Sequence, residues 1–234
     1  MTGLTSLLDE QKRLFSQHPF FSHLAQSQLE VTTESSVSFF SAMSFFVMSF
    51  SDLNKFVLPF ENPKSSLEIA INTHCREDAN HWAWFIHDLK KLNLDYPMSL
   101  VRCLKYLWSD ELSASRRLTY ELIEMTAGKS AETRLLVVEA TEAAGNVAFA
   151  EFVAFTRNAE KNLKYFGQLH LDHESGHAMG SDGTLAEQLR LSDDETAAAA
   201  QSIEKTFRGF HRFMDQLLAH ATLSEQKNKL HQIN

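Results

Sequence analysis

At 234 residues and 44% hydrophobic content, the chain is of a size that one hydrophobic core supports. Eight glycines and four prolines are too few for the many chain reversals of an all-β or α/β fold, which leaves long helices with few breaks. The formal net charge of -8 excludes the clustered Lys and Arg surface that displaces counterions from phosphates, so small molecules or proteins are expected as partners, not nucleic acid.

The expected fold class is all-α, a single helical domain over 1–234 with an N-terminal extension at 1–17 and a polar tail at 221–234. Cys75 and Cys103 are too few for a disulfide framework, which points to a reducing compartment. Met1 to Arg13 carries Asp9 and Glu10 and lacks the apolar core of a secretory signal. The richest apolar stretch, Val37 to Phe50, is interrupted by Ser38, Ser41, Ser44 and Ser49 and is too short to span a bilayer. The expected location is cytoplasmic, with no membrane partner.

In chain order, the first clear helix is expected after Thr32 or Thr33, with Glu34 in its first turn, running to about Lys55. Apolar residues nearly encircle it, which predicts a central position. Asn62-Pro63 breaks the chain, and Pro63 suits the first position of a second helix reaching about Lys91. A third region covers Met98 to Thr126, kinked near Ser109, with Gly128 as its C-cap. The next begins near Ser130 and carries LLVVEATEAAGNVAFAEFVAFTR, where Gly145 marks a bend or a close approach. A helix over Glu160 to Ala178 follows, then a loop with Gly180 and Gly183. Ser192 and Glu195 form a capping box for a last helix to about His220, beyond which a polar tail frays.

Two of these helices each carry a His, an acid four residues on, and a His three residues further: His74, Asp78, His81 and His170, Glu174, His177. Positions i, i+4 and i+7 of a helix lie within about 60° of arc, so each trio points one way. Imidazole and carboxylate are good ligands for iron, manganese or zinc, and facing helices of a bundle commonly supply them. The plainer alternative is a set of surface residues or core histidines satisfied by neighbouring acids. Against it, Trp82, Trp84 and Phe85 flank one trio and Tyr165, Phe166 and Leu169 the other, so the polar faces adjoin apolar ones, where unpaired ionisable groups are costly. A further carboxylate is expected from Glu142, with Glu139 in reserve. His173 reads as a supporting neighbour, His87 as exposed, His18 as structural and Cys103 as a small buried hydrophobe.

EATEAAGNVAFAEF followed by LKYFGQLHLDHESGH resembles the haem-oxygenase-like helical superfamily, in particular its non-haem dimetal oxidases and oxygenases. HPFF at residues 18–21 is similar to the start of that fold, and the resemblance runs from about residue 18 to 220. It implies a haem-oxygenase-like multi-helix bundle. In that branch the last metal-binding helix carries the pattern found at His170, Glu174 and His177. A middle helix supplies a Glu where Glu142 stands, and an earlier one supplies a His where His81 stands. The family's Glu seven residues before that His is replaced here by His74, while Asp78 satisfies a shorter spacing.

The resemblance thus implies one or two iron ions, with manganese admitted and no haem, held by His81, Glu142, His170, Glu174 and His177 with Asp78 or His74. It implies dioxygen as co-substrate, a small organic molecule as substrate and an oxidase or oxygenase activity, and it is compatible with a homodimer. Phe39, Phe45, Trp82, Phe149 and Phe166 are the expected pocket walls. Two alternatives stay open: a metal-free enzyme of the same fold, like pyrroloquinoline-quinone synthase or thiaminase II, and a non-catalytic ligand- or partner-binding bundle.

Overall fold

The computed structural model describes residues 3–27, 36–158, 162–174 and 189–233. Its elements are ten α-helices: α1 (Leu4–Ser16), α2 (Pro19–Ser27), α3 (Ser44–Asp52), α4 (Ser66–Asp78), α5 (Trp82–Lys91), α6 (Leu100–Leu107), α7 (Ser113–Thr126), α8 (Ala131–Thr156), α9 (Gln168–Glu174) and α10 (Asp193–Ile233). No strand occurs among the described residues, and none of their helices is long and apolar enough to cross a membrane.

The central helix is α8. Every residue from Arg134 to Ala144 is buried, because LLVVEATEAA offers apolar or small side chains on all sides. Helices α1, α2, α4, α7, α9 and α10 pack around it. The sequence assigned that central place to the 33–55 region, which instead forms a 3-10 turn (Ser38–Met43), α3 and a π-turn (Leu53–Val57). Only one side of α3 faces inward, through Phe46, Val47 and Ser51, and Phe56 is exposed.

The N-terminal residues are also more than an extension. Helix α1 inserts Leu8 and Phe15 into the core, and Phe15 meets Phe207 and Phe210 of α10 edge-on. His18 is structural: its Nδ1 accepts the Phe20 N–H at 3.2 Å and its Nε2 lies 3.2 Å from Asp215.

Local chemistry sets most boundaries. Helix α4 starts at Ser66, three residues later than Pro63 suggests, because Ser65 and Glu68 form a capping box that satisfies two otherwise orphaned N–H groups. Helix α5 ends in a Schellman motif around Asn93 at φ 59°, where Leu94 N–H donates to Leu89 and Asn93 N–H to Lys90. Gly128, at φ 67°, ends α7 as its position predicts. The break at Ser109 is capped by Arg116, which donates to the carbonyls of Leu107 and Ser109 at 2.6 and 2.8 Å. Helix α8 runs uninterrupted through Gly145. The Ser192 and Glu195 capping box opens α10, which continues past His220 to Ile233 where the sequence expected fraying.

The two boundaries that matter most for chemistry differ from expectation. The single helix predicted up to Lys91 is broken at 79–81, where Ser51 of α3 donates its hydroxyl to the freed Ala79 carbonyl at 2.7 Å. The helix predicted from Glu160 starts only at Gln168, after a non-helical run at 162–167.

Candidate metal centre

Helices α4, α5, α8 and α9 bring five of the sequence-predicted residues together. His74, Asp78, Glu142, His81 and His170 are all buried, His74 completely. His74 and Asp78 sit one turn apart on α4, and His74 Nε2 lies 3.3 Å from Asp78 Oδ2. Glu142, projecting from α8, places Oε1 3.6 Å from the same His74 nitrogen. These three offer ligand atoms all within 4.8 Å of one another.

The other carboxylate oxygen of Asp78 faces a different group. Oδ1 is 3.8 Å from Nδ1 of His81, which in turn lies 3.1 Å from Nε2 of His170. Because the chain breaks after Asp78, His81 opens α5 instead of extending α4, and its ring stacks on Trp84 with centroids 4.6 Å apart. His170 is packed by Phe149 at 4.0 Å and Tyr165 at 4.6 Å, and its Nδ1 lies 2.9 Å from the Tyr165 carbonyl. A carbonyl only accepts, so that nitrogen carries the proton and Nε2 presents a lone pair to the centre.

Other predicted residues fall elsewhere. Glu139 is buried on α8 but does not belong to the three-residue cluster. Glu174 ends α9, with only its backbone described, and His177 lies outside the described residues. His173 is exposed, with its ring 5.4 Å from those of His81 and Trp84. His87 is half-buried, its Nδ1 3.0 Å from Asp88 Oδ1. Cys103 is partly exposed, not buried.

A cavity of about 60 Å³ opens beside the centre, with Asp78, His81, Glu142 and His170 on one wall. Met43, Phe46, Phe50, Phe149, Phe152 and Met214 supply much of the rest, and no Lys or Arg is among the described residues that line it. Of the five aromatics expected there, Trp82 and Phe149 are present. Phe39 and Phe166 are core residues, and Phe45 packs against Trp108 and Tyr120.

Electrostatics favour a cation here. Burial, with the charges of Glu142 and Glu77, holds the Asp78 carboxyl well above its ordinary range. Burial pushes the His170 imidazole down to about 4, against the opposing effects of the Tyr165 carbonyl and the Asp88 charge. A divalent ion favours the ionised carboxylate and the neutral imidazole, the two forms that coordinate. Burial and the nearby Asp78 charge raise the Cys75 thiol to about 12, which keeps it protonated and unfit as a nucleophile.

The His170 shift has a sign that can be checked on metal-free protein. The unfolded imidazole takes up a proton near pH 6.5, which the folded one refuses until about 4. Its stabilisation is therefore complete above about pH 6.5 and is lost as pH falls toward 4, about 3 kcal/mol over the window. Asp78 acts oppositely, its raised value making stability fall as pH rises above the ordinary carboxylate range. With that contribution removed by Asp78→Asn, urea midpoints at pH 7 and 4.5 should drop more than in Asp78→Asn/His170→Phe. Equal drops would contradict the assignment.

Asp88 escaped sequence reading. It lies seven residues after His81, and its fully buried carboxylate accepts three successive backbone N–H groups, from Lys164, Tyr165 and Phe166, at 2.7–2.9 Å. Apart from its neighbour His87, whose Nδ1 lies 3.0 Å from Oδ1, this acid in the apolar run WAWFIHDL has no local signature, because the N–H groups it binds are 76 to 78 residues away.

No protein-family model matches this chain, and no curated protein matches it.

Proposed function

We propose that this chain is a haem-oxygenase-like helical protein that holds one or two iron ions and oxidises a small, largely apolar organic molecule with dioxygen. The observation that carries the reading is Asp78, whose two oxygens face different donor groups. Oδ2 is 3.3 Å from His74, which Glu142 also approaches, while Oδ1 is 3.8 Å from His81, which His170 approaches. That is the disposition of a carboxylate able to bridge two ions.

The donors fit such a group. Ligand atoms bonded to one ion at about 2.1 Å and separated by angles of roughly 95–120° lie about 3.1–3.6 Å apart, as do the His81–His170, His74–Asp78 and His74–Glu142 pairs. Two carboxylates and three imidazoles form an oxygen and nitrogen set suited to non-haem iron or manganese. His74, in place of the family's Glu, makes the first half-site richer in nitrogen. Glu174, the last residue of α9, and His177, three residues later in the sequence and outside the described residues, are the proposed completion of the His170 side.

Bound iron would supply the redox chemistry of dioxygen activation. The chain's own residues would do the rest. Asp78 and Glu142 would hold the ions by charge, and the Tyr165 carbonyl keeps the His170 proton on Nδ1. Phe46, Phe50, Phe149 and Phe152 wall an apolar space that excludes water beside the reacting centre. The apolar lining suits a substrate part that is uncharged or that delivers its one anionic group to the metal.

The test is anaerobic reconstitution with ferrous iron, followed by elemental analysis and absorbance after admission of oxygen. One or two equivalents of bound iron and an oxygen-dependent spectral change are expected, both lost in His81→Ala/His170→Ala. Absence of binding by iron, manganese and zinc alike would refute the metal reading and shift the assignment to a metal-free enzyme or a binding protein of the same architecture.

A further inference from the structure

We infer that Asp88 is a positioning residue that sets the tautomer and direction of His170 through the backbone of residues 164–166. The inference extends the metal reading above, but its structural half stands whether or not metal binds.

The run between Lys164 and Phe166 has no helix or strand to satisfy its polar groups, and a buried backbone group without a partner is costly. Asp88 takes all three N–H groups: Lys164 on Oδ1 at 2.8 Å, Tyr165 and Phe166 on Oδ2 at 2.7 and 2.9 Å. The Phe166 carbonyl accepts from Thr156 Oγ1 of α8 at 3.0 Å. The Tyr165 carbonyl accepts from His170 Nδ1 at 2.9 Å.

Gly167 completes the turn: a Cβ there would stand 2.2 Å from the Leu163 carbonyl oxygen, so no other residue fits without moving the run. The 164–166 backbone is thus clamped between α5 and α8, and the carbonyl it presents has one orientation. His170 has Tyr165 O on one nitrogen and His81 Nδ1 on the other, 3.1 Å away. Fixing the carbonyl puts the proton on Nδ1 and leaves Nε2 as a base aimed at the centre. A ligating histidine needs such an orienting partner. Here the partner is a peptide carbonyl, held in place by a carboxylate that touches no ligand.

The isosteric change Asp88→Asn tests this. An amide has one acceptor oxygen where the carboxylate has two, and its NH2 would face backbone N–H groups, so the clamp opens. In histidine-labelled, metal-free protein, two-bond 1H–15N correlations should place the wild-type His170 proton wholly on Nδ1. Asp88→Asn should show a mixture with the Nε2–H form and a 10- to 100-fold weaker affinity for iron or zinc. Thermal melts of the same samples separate this from general unfolding.

A folded Asp88→Asn with an unchanged His170 tautomer overturns the proposal. So does a wild-type His170 found in the Nε2–H form, which decides the matter even if the variant fails to fold. A tautomer shift in a protein that binds no metal supports the positioning role while refuting the metal reading, so the two failures are distinguishable.

Discussion

With two ions bound, as proposed, Asp78→Asn is expected to weaken both, whereas His74→Ala weakens one and His170→Ala the other. The asymmetry follows from the carboxylate's two directions. Oδ2 shares a neighbourhood with His74 and Glu142, Oδ1 with His81 and His170, so this side chain belongs to both groups. An amide in its place keeps the shape but loses the negative charge, and one of its two ends becomes a donor that repels a cation. Loss of a direct ligand should weaken each ion by about 100-fold or more, beyond the 10- to 100-fold typical of an outer partner.

Anaerobic ferrous titration against a competing chelator, with Mössbauer spectra of the loaded protein, gives both stoichiometry and site. Two ions retained by Asp78→Asn would remove Asp78 from the bridging role. The same variant should be more stable than the parent when metal-free at neutral pH. Burial and the neighbouring acids disfavour the ionised carboxylate, and the neutral amide escapes that penalty. Loss of function with gain of apo stability distinguishes a ligand from a structural acid, whose removal would cost stability.

The sequence shows the helical class through scarce Gly and Pro, and it shows the two His-acid-His trios through their spacing. The trios were legible because i, i+4, i+7 is a local rule. For His74, Asp78 and His81 the structure has the same grouping but reaches it by another route. His81 lies not on an extension of α4 but at the start of α5, and it reaches Asp78 only because the break at 79–81 turns the chain back across it. At that break the Ala79 carbonyl accepts from Ser51, 28 residues earlier.

The choice between Glu142 and Glu139 was similarly beyond local pattern. Both are buried on a helix surrounded on all sides, so periodicity cannot say which faces α4. The misplacement of the central helix has the same root. Val37 to Phe50 and Leu135 to Ala144 are comparably apolar, but the second is enclosed by α1, α2, α4, α7, α9 and α10, whereas the first packs mainly on α5, α7 and α10, a difference set by the whole assembly. Asp88 marks the limit most sharply: its role depends entirely on a loop in another part of the chain.

Phe40→Ala is expected to cost about 3–5 kcal/mol of stability and to lower the melting temperature by on the order of 10 °C. Phe40 is fully buried, stacks on Phe166 with centroids 3.6 Å apart, and meets Phe152 edge-on at 5.4 Å. Truncating it removes those contacts and leaves a ring-sized void that close-packed neighbours fill only in part. The void lies directly behind the run whose N–H groups Asp88 holds, because Phe166 is both the stacking partner and the last of the three donors.

Loosening Phe166 should therefore reach Tyr165 and its carbonyl, and weaken metal binding as well as stability. Leu122→Ala supplies the comparison. Leu122 is as fully buried but sits on α7, whereas the hydrogen bonds that hold the 164–166 run come from α5, α8 and His170, so it should lower the melting temperature with metal affinity intact. Calorimetry and chelator competition on the two variants read both quantities. A fall in affinity for both variants in proportion to lost stability would mean that the centre responds to global unfolding alone. A fall confined to Phe40→Ala would show that the aromatic core supports the centre through one particular stretch of backbone.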